Sequence, residues 1–171
     1  MKKTIILLST ILLFISSCTE KEENKSIDKE AHEENVKEFT STLQKHLNAV
    51  SNKDPKTLRS TMSPDGKMQL ILPSSEILYS VDSFMVFHES WFEDTTWTFE
   101  TKIINTEVGE KLGIGITEVI YREPERNGAP YFNRMIVSYA LEKKEDKWYI
   151  IKDHASSIEK TKPKKGLSWN Q

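Results

Sequence analysis

The sequence predicts an α+β domain, with N-terminal helices packed on a curved antiparallel sheet. Three observations carry this. Val36, Phe39, Leu43, Leu47 and Val50 recur at intervals of three or four residues, the period of one helix face. Phe84, Phe87, His88, Trp91 and Phe92 repeat that spacing further on. After residue 96 the pattern changes to long strand-like runs joined by short polar turns. Helices followed by such a meander make the α+β class.

The chain opens on Lys2 and Lys3, followed by an almost wholly apolar stretch from Thr4 to Ile15 and then Ile15-Ser16-Ser17-Cys18. A basic start, a short apolar core and small residues at the cut describe a secretory signal. The core is about a dozen residues, short of the ~20 that span a bilayer. The segment resembles a bacterial lipoprotein signal, which implies cleavage after residue 17 and lipidation of Cys18. A non-lipidated signal and a retained helix are the alternatives. Cys18 is the only cysteine, so no intramolecular disulfide can form. Residues 18–33 are rich in Lys, Glu, Asn, Asp and Ser, a composition that cannot bury enough surface to order itself and predicts a flexible charged tether. Within it, Lys21-Glu22-Glu23 resembles the Lys-acid-acid export signal of some surface lipoproteins. The expected address is the bacterial cell envelope by a lipid anchor, on the outer membrane, with the surface and periplasmic sides both open.

The folded domain is expected over residues 34–160, with a disordered tail at 161–171. A first helix spans about 34–52. Asp54-Pro55 opens a second, since Asp caps and Pro suits the first helical position. Leu58 and Met62 are its inward residues. Ser63-Pro64-Asp65-Gly66 is a turn signal, and Met68 to Leu72 is a short strand stopped by Pro73. The aromatic helix starts near Ser80 or Asp82. Four strands follow, at about Trp97–Glu107, Leu112–Arg122, Phe132–Lys143 and Lys147–Ser157. Glu123 to Pro130, with two prolines and Asn127-Gly128, reads as a longer loop. Gly113-Ile114-Gly115 lies inside a strand. It is too short for a dinucleotide loop and implies close packing or a bend.

Leu47-Asn48-Ala49-Val50 followed by Asp54-Pro55-Lys56-Thr57-Leu58 makes a long helix, a small step and a second helix. The chain closes with Trp148, His154 and Ser156 on its last strand. This order resembles the nuclear transport factor 2-like superfamily, especially its SnoaL-like branch, over about Glu34 to Ser157. The resemblance implies a conical α+β shape with a pocket between helices and sheet. It also implies a range of roles, from isomerases, cyclases and dehydratases to binding and assembly modules.

If the hairpins centre on Arg126 and Glu145, Glu118 faces Arg134, Ile136 faces His154 and Arg134 faces Ser156. Alternation then puts Glu118, Arg134, His154 and Ser156 on one face with Trp97, Phe99, Ile103, Ile116, Ile120, Ile136, Trp148 and Ile150. A one-residue slip or a bulge would scatter this cluster. As a pocket, it offers Arg134 to a carboxylate and Glu118 or His154 as proton acceptor. Otherwise Glu118 and Arg134 are a cross-strand ion pair closing the sheet, with His154 bonded to Ser156. His88 and Trp91 complete the candidate set, with His88 as base, core or rim residue. Tyr121, Tyr139 and Asp153 fall on the opposite face. They therefore leave unmatched the Asp base with Tyr and Asp donors that the isomerase members imply. No His and acid spacing suggests a metal, no nucleophile elbow exists, and no cofactor is expected.

The formal charge is −2, and loss of Lys2 and Lys3 with residues 1–17 takes it to −4. A mildly acidic domain lacks the basic face of a nucleic-acid binder. Lys160, Lys162, Lys164 and Lys165 form a small basic tail, read as solvated. The leading reading is a membrane-anchored, non-catalytic module that binds a small apolar or amphipathic ligand or a protein partner. The runner-up is an isomerase- or cyclase-like enzyme using Glu118 or His154. A homodimer is a third possibility, through Val119, Tyr121, Met135, Val137, Tyr139 and Ile151, unless these pack beneath the first helix.

Overall fold

The computed structural model describes residues 16–162, with side chains from residue 28 onward. Helix α1 spans Ser16–Ser51, α2 Pro55–Ser60 and α3 Val81–Phe92. The strands are β1 Gln69–Ile71, β2 Ile77–Tyr79, β3 Thr98–Val108, β4 Leu112–Arg126, β5 Ala129–Lys144 and β6 Lys147–Lys160. They form one sheet in the order β2-β1-β6-β5-β4-β3. The long strands make the expected antiparallel meander, but β1 runs parallel to β6, so the sheet is mixed.

Helix α1 starts well before residue 34, so much of the stretch expected as an irregular tether is helical. The side chains at residues 28–34 are exposed, as its polar composition requires. The apolar stripe begins to bury at Val36 and is fully buried from Phe39. Residues 1–15 of the leader and 163–171 of the tail lie outside the described residues, as does the Cys18 side chain.

Asn35 fixes this helix to the sheet. Its Nδ2 donates to the Gly109 carbonyl at 2.9 Å. Its Oδ1 accepts from Lys143 Nζ at 2.9 Å and from Trp148 Nε1 at 3.2 Å. One turn on, the helix lies directly on β4. A Cβ added to Gly113 would sit 2.6 Å from a Phe39 ring carbon, and one added to Gly115 2.4 Å from Leu43 Cδ2. The two glycines thus allow the close approach their position inside a strand implied.

Asp54 caps α2, accepting from the Thr57 N–H at 3.0 Å, and Leu58 and Met62 are buried. Ser80 caps α3 through the Ser83 N–H. The expected long loop at 123–130 is instead a continuation of β4 and β5 to a two-residue turn. Asn127 and Gly128 take φ of 55° and 78° there, the backbone such tight hairpins need.

Candidate functional site

Three bulges decide which side chains meet. In β4–β5 the register shifts between Glu123 and Arg126, leaving Glu118 opposite Ile136 and Ile120 opposite Arg134. This differs from the expected pairing by two residues, so face assignments within that pair survive. In β5–β6 a shift between Ala140 and Leu141 takes up Ile151 as an extra residue. Trp148 and Ile150 therefore face the helices, whereas His154 and Ser156 face away. A further shift between Arg134 and Met135 takes up Ile158.

Glu118, Arg134, His154 and Ser156 do share one face, but it is the outer face, turned away from α1 and α3. Ile116, Ile120 and Ile136 lie with them, while Trp97, Phe99, Ile103, Trp148 and Ile150 face inward. Of the six candidate site residues, His88, Trp91, Glu118, Arg134, His154 and Ser156, only His88 and Trp91 line the cavity between helices and sheet, where they are joined by Phe99 from the expected pocket face. Glu118 and Arg134 form the diagonal cross-strand ion pair, at 2.8 Å, with Glu159 3.7 Å from the same guanidinium. No hydrogen bond joins His154 to Ser156 among the described residues. The residues considered for a dimer surface are buried, and all but Ile151 belong to the hydrophobic core.

A cavity lies between α3, β1 and the inner face of the meander, with a volume of about 350 Å³. That is within the range of small-molecule sites. Its walls are aromatic: Phe87 and Trp91 from α3, Phe99 from β3, Tyr121 from β4 and Tyr131 from β5. Trp91 is held by stacking on Trp97, with ring centroids 4.2 Å apart and planes 13° apart. The Trp97 Nε1–H donates to the Trp91 carbonyl at 3.0 Å, and Lys53 Nζ lies 3.7 Å from the Trp97 ring centroid.

The sheet side of the cavity is mixed, with Met135, Val137 and Ala155 among polar side chains. Asn133, Tyr139, Asp153 and Ser157 point into it from β5 and β6. Tyr139 and Asp153 sit directly opposite each other across the strands. Asn133 Oδ1, Asp153 Oδ1 and Ser157 Oγ are buried and have no hydrogen-bond partner among the described residues. Leaving a buried polar atom unpaired costs about 1–3 kcal/mol, and the three residues that carry these atoms all line a single cavity.

Burial sets the electrostatics. It pushes the Asp153 carboxyl up to about 7 and raises the Tyr139 hydroxyl well above its ordinary value. His88 is pushed down to about 4 by burial, against the opposing effect of its bond to Phe84. Its Nδ1 lies 2.8 Å from the Phe84 carbonyl, which can only accept. The proton is therefore on Nδ1, and Nε2 presents a lone pair. His46, next to Tyr139 with ring centroids 5.5 Å apart, is pushed down to about 3 by burial and by His88. At the mouth, Trp91 Nε1 reaches the Tyr121 hydroxyl at 3.5 Å, and that hydroxyl donates to Glu123. Glu123 is clasped by Arg126, whose guanidinium also lies 3.5 Å from the Tyr131 ring centroid. Burial and the Glu123 bond raise Tyr121 to about 12.

Asp153, Asn133, Ser157 and Tyr139 were not among the expected site residues. One signal pointed to them. Gly113 and Gly115 alternate in phase with Thr117, Val119 and Tyr121, and small residues under a helix mark the helix-facing side. Among the described residues, no cluster of three His, Cys, Asp or Glu side chains could hold a metal ion. No described helix is long and apolar enough to cross a membrane.

This geometry, a sheet curved round helices with a cavity between them, is that of a known family. A SnoaL-like domain is matched over residues 40–159, and the chain belongs to that family. Solved structures agree on the nuclear transport factor 2-like, or cystatin-like, fold. A proposed dehydratase of the nuclear transport factor 2-like family from Streptomyces avermitilis is 14% identical. It aligns over 74% of this chain and 99% of its own, with a TM-score of 0.65. A ketosteroid isomerase-like protein from Erwinia carotovora atroseptica is 17% identical over 74% and 98% of the two chains, TM-score 0.63. The association domain of C. elegans CaMKII is 19% identical over 75% and 98%, TM-score 0.54. At such identities the likeness is one of fold. No curated protein matches the chain.

Proposed function

We propose that this domain is a binding module for a small molecule, seated in the aromatic-walled cavity and held by the polar groups of β5 and β6. One observation carries the reading: three residues whose side chains hold a buried polar atom with no partner among the described residues, Asn133, Asp153 and Ser157, line one cavity of ligand size. A ligand that pairs with them removes a standing cost, so binding gains from an arrangement that burdens the empty fold. Native mass spectrometry of the purified full-length chain tests this. A retained mass that disappears in Asp153→Leu supports the reading; a clean wild-type mass, with no ligand found by thermal-shift screening, opposes it.

The enzyme reading survives in altered form. Its acid–base residue would be Asp153 rather than Glu118 or His154, since Asp153 titrates near neutrality inside the cavity. The names of two structural neighbours, a proposed dehydratase and a ketosteroid isomerase-like protein, favour testing it. If Asp153→Asn abolishes turnover of a bound compound but keeps its affinity, the enzyme reading replaces the binding one.

Anchoring through Cys18 in the bacterial cell envelope is proposed on the leader sequence. Cys18→Ala is expected to release the chain from membranes, and unchanged integral attachment would refute the anchor. A homodimer is also proposed, now through the outer sheet face. There Leu112 and Ile114 are exposed and Ile116, Ile120 and Ile136 half-buried. Ile114→Glu is expected to yield monomers in light-scattering chromatography; a wild-type chain already monomeric at high concentration would end the proposal.

A further inference from the structure

The cavity has a direction. Asp153, Ala155, Ser157 and Lys160 line it in turn along β6, from buried floor to exposed mouth. The bulge at Ile158 makes this possible: without it Lys160 would share the outer face with Ser156. With it, Lys160 pairs with Asn133 on the inner face, while Glu159 pairs with Arg134 on the outer face. The backbone beyond is fixed. The Thr161 N–H donates to the Phe132 carbonyl at 3.0 Å, and the Phe132 N–H donates to Thr161 Oγ1 at 3.0 Å. Lys160 is thus placed at the rim.

Two cations line the cavity, and they differ. Arg126 is committed to Glu123 and to the Tyr131 ring. Lys160 has no carboxylate partner among the described residues. The mouth therefore carries one uncompensated positive charge above an aromatic shaft. From Asp153 to Lys160 the strand rises about 20 Å. The two side chains reach toward each other and leave room for a short ring system between them.

Resting on the reading of the cavity as a ligand site, we infer that its occupant is amphipathic, with an apolar ring body and one anionic head, a carboxylate or sulfonate, held at the mouth by Lys160. Trp91, Phe99, Tyr121 and Tyr131 supply faces and edges for the rings. An anion at the mouth keeps contact with water, so it gains the attraction of Lys160 without the full cost of burial.

The test uses two probes with one ring body. 1-Naphthaleneacetate carries an anionic head and 2-(1-naphthyl)ethanol a neutral one. Calorimetric titration of the full-length chain with each is compared across wild type, Lys160→Met and Lys160→Arg. Met keeps the apolar stem and removes the charge; Arg keeps the charge. The acetate is expected to lose five- to twentyfold in affinity in Lys160→Met and to stay within twofold in Lys160→Arg. The alcohol should stay within twofold throughout. Equal losses for both probes, or none for the acetate, overturn the inference while leaving the cavity a ligand site. If neither probe binds wild type, or both still bind when Ala155→Trp fills the shaft, the cavity reading falls and the inference with it.

Discussion

The two faces of the meander are built from the same strands and serve different ends. The inner face buries Val119, Val137 and Leu141 in the core and opens into the cavity, where Tyr139 and Asp153 are buried without solvent to stabilise charge. The outer face carries more conspicuous chemistry in Glu118, Arg134 and His154, but there the acid and the arginine neutralise each other near water. Paired, half-exposed charges contribute little. Unpaired polar atoms in a buried cavity are costly, and such groups are where binding energy is stored. The difference teaches that a cluster of charged residues is a weaker sign of a site than polar atoms that lack partners.

Asp153→Asn is the largest test of that contrast. Folding raises the Asp153 carboxyl from its ordinary 3.8 to about 7, so the folded state binds the proton more tightly. The penalty is absent at low pH, grows as pH rises through the unfolded value, and is complete above about 7. The variant should therefore be the more stable at pH 8, by up to about 4 kcal/mol, with the gain shrinking toward pH 4. Denaturant titrations across that range measure it; a gain independent of pH would show that Asp153 is not a buried titrating group.

Next in size is Gly115→Ala. The new Cβ meets Leu43, and overpacking of this kind costs about 1–3 kcal/mol. The neighbouring outer substitution Ile116→Thr should cost distinctly less in the same urea titration. Equal costs would mean that α1 does not press on β4. Asn35→Ala removes the contacts of one side chain to Gly109, Lys143 and Trp148, and about 1–2 kcal/mol is expected. Hydrogen exchange should then rise at the N-terminal part of α1 and the β3–β4 turn together. The smallest effect belongs to the outer face: Arg134→Met should leave the thermal midpoint and the occupancy of the cavity unchanged. Loss of ligand in that variant would return the polar cluster to the site.

Much of the fold was legible because it rests on local rules. The stripe from Phe39 to Val50, the cap at Asp54 and the alternation of the long strands each follow from period and side-chain chemistry, and each is present. The parallel pairing of β1 with β6 was not legible, since nothing in a three-residue strand specifies a distant partner. Nor was the two-residue turn at Asn127-Gly128, where two nearby prolines argued for a loop.

The sequence by itself determined the family, the helices, the meander and the alternating sets of β4 and β5, but in β6 the bulge at Ile151 splits Trp148 and Ile150 from His154 and Ser156. It also brought Glu118, Arg134, His154 and Ser156 correctly onto one face. Only the tertiary structure decided which face that was. The choice depended on the bulge at Ile151 and on where α1 lies, and these are set by packing across strands. A bulge inverts every side chain beyond it, so one residue's register separated the charged surface the sequence displays from the cavity the fold encloses.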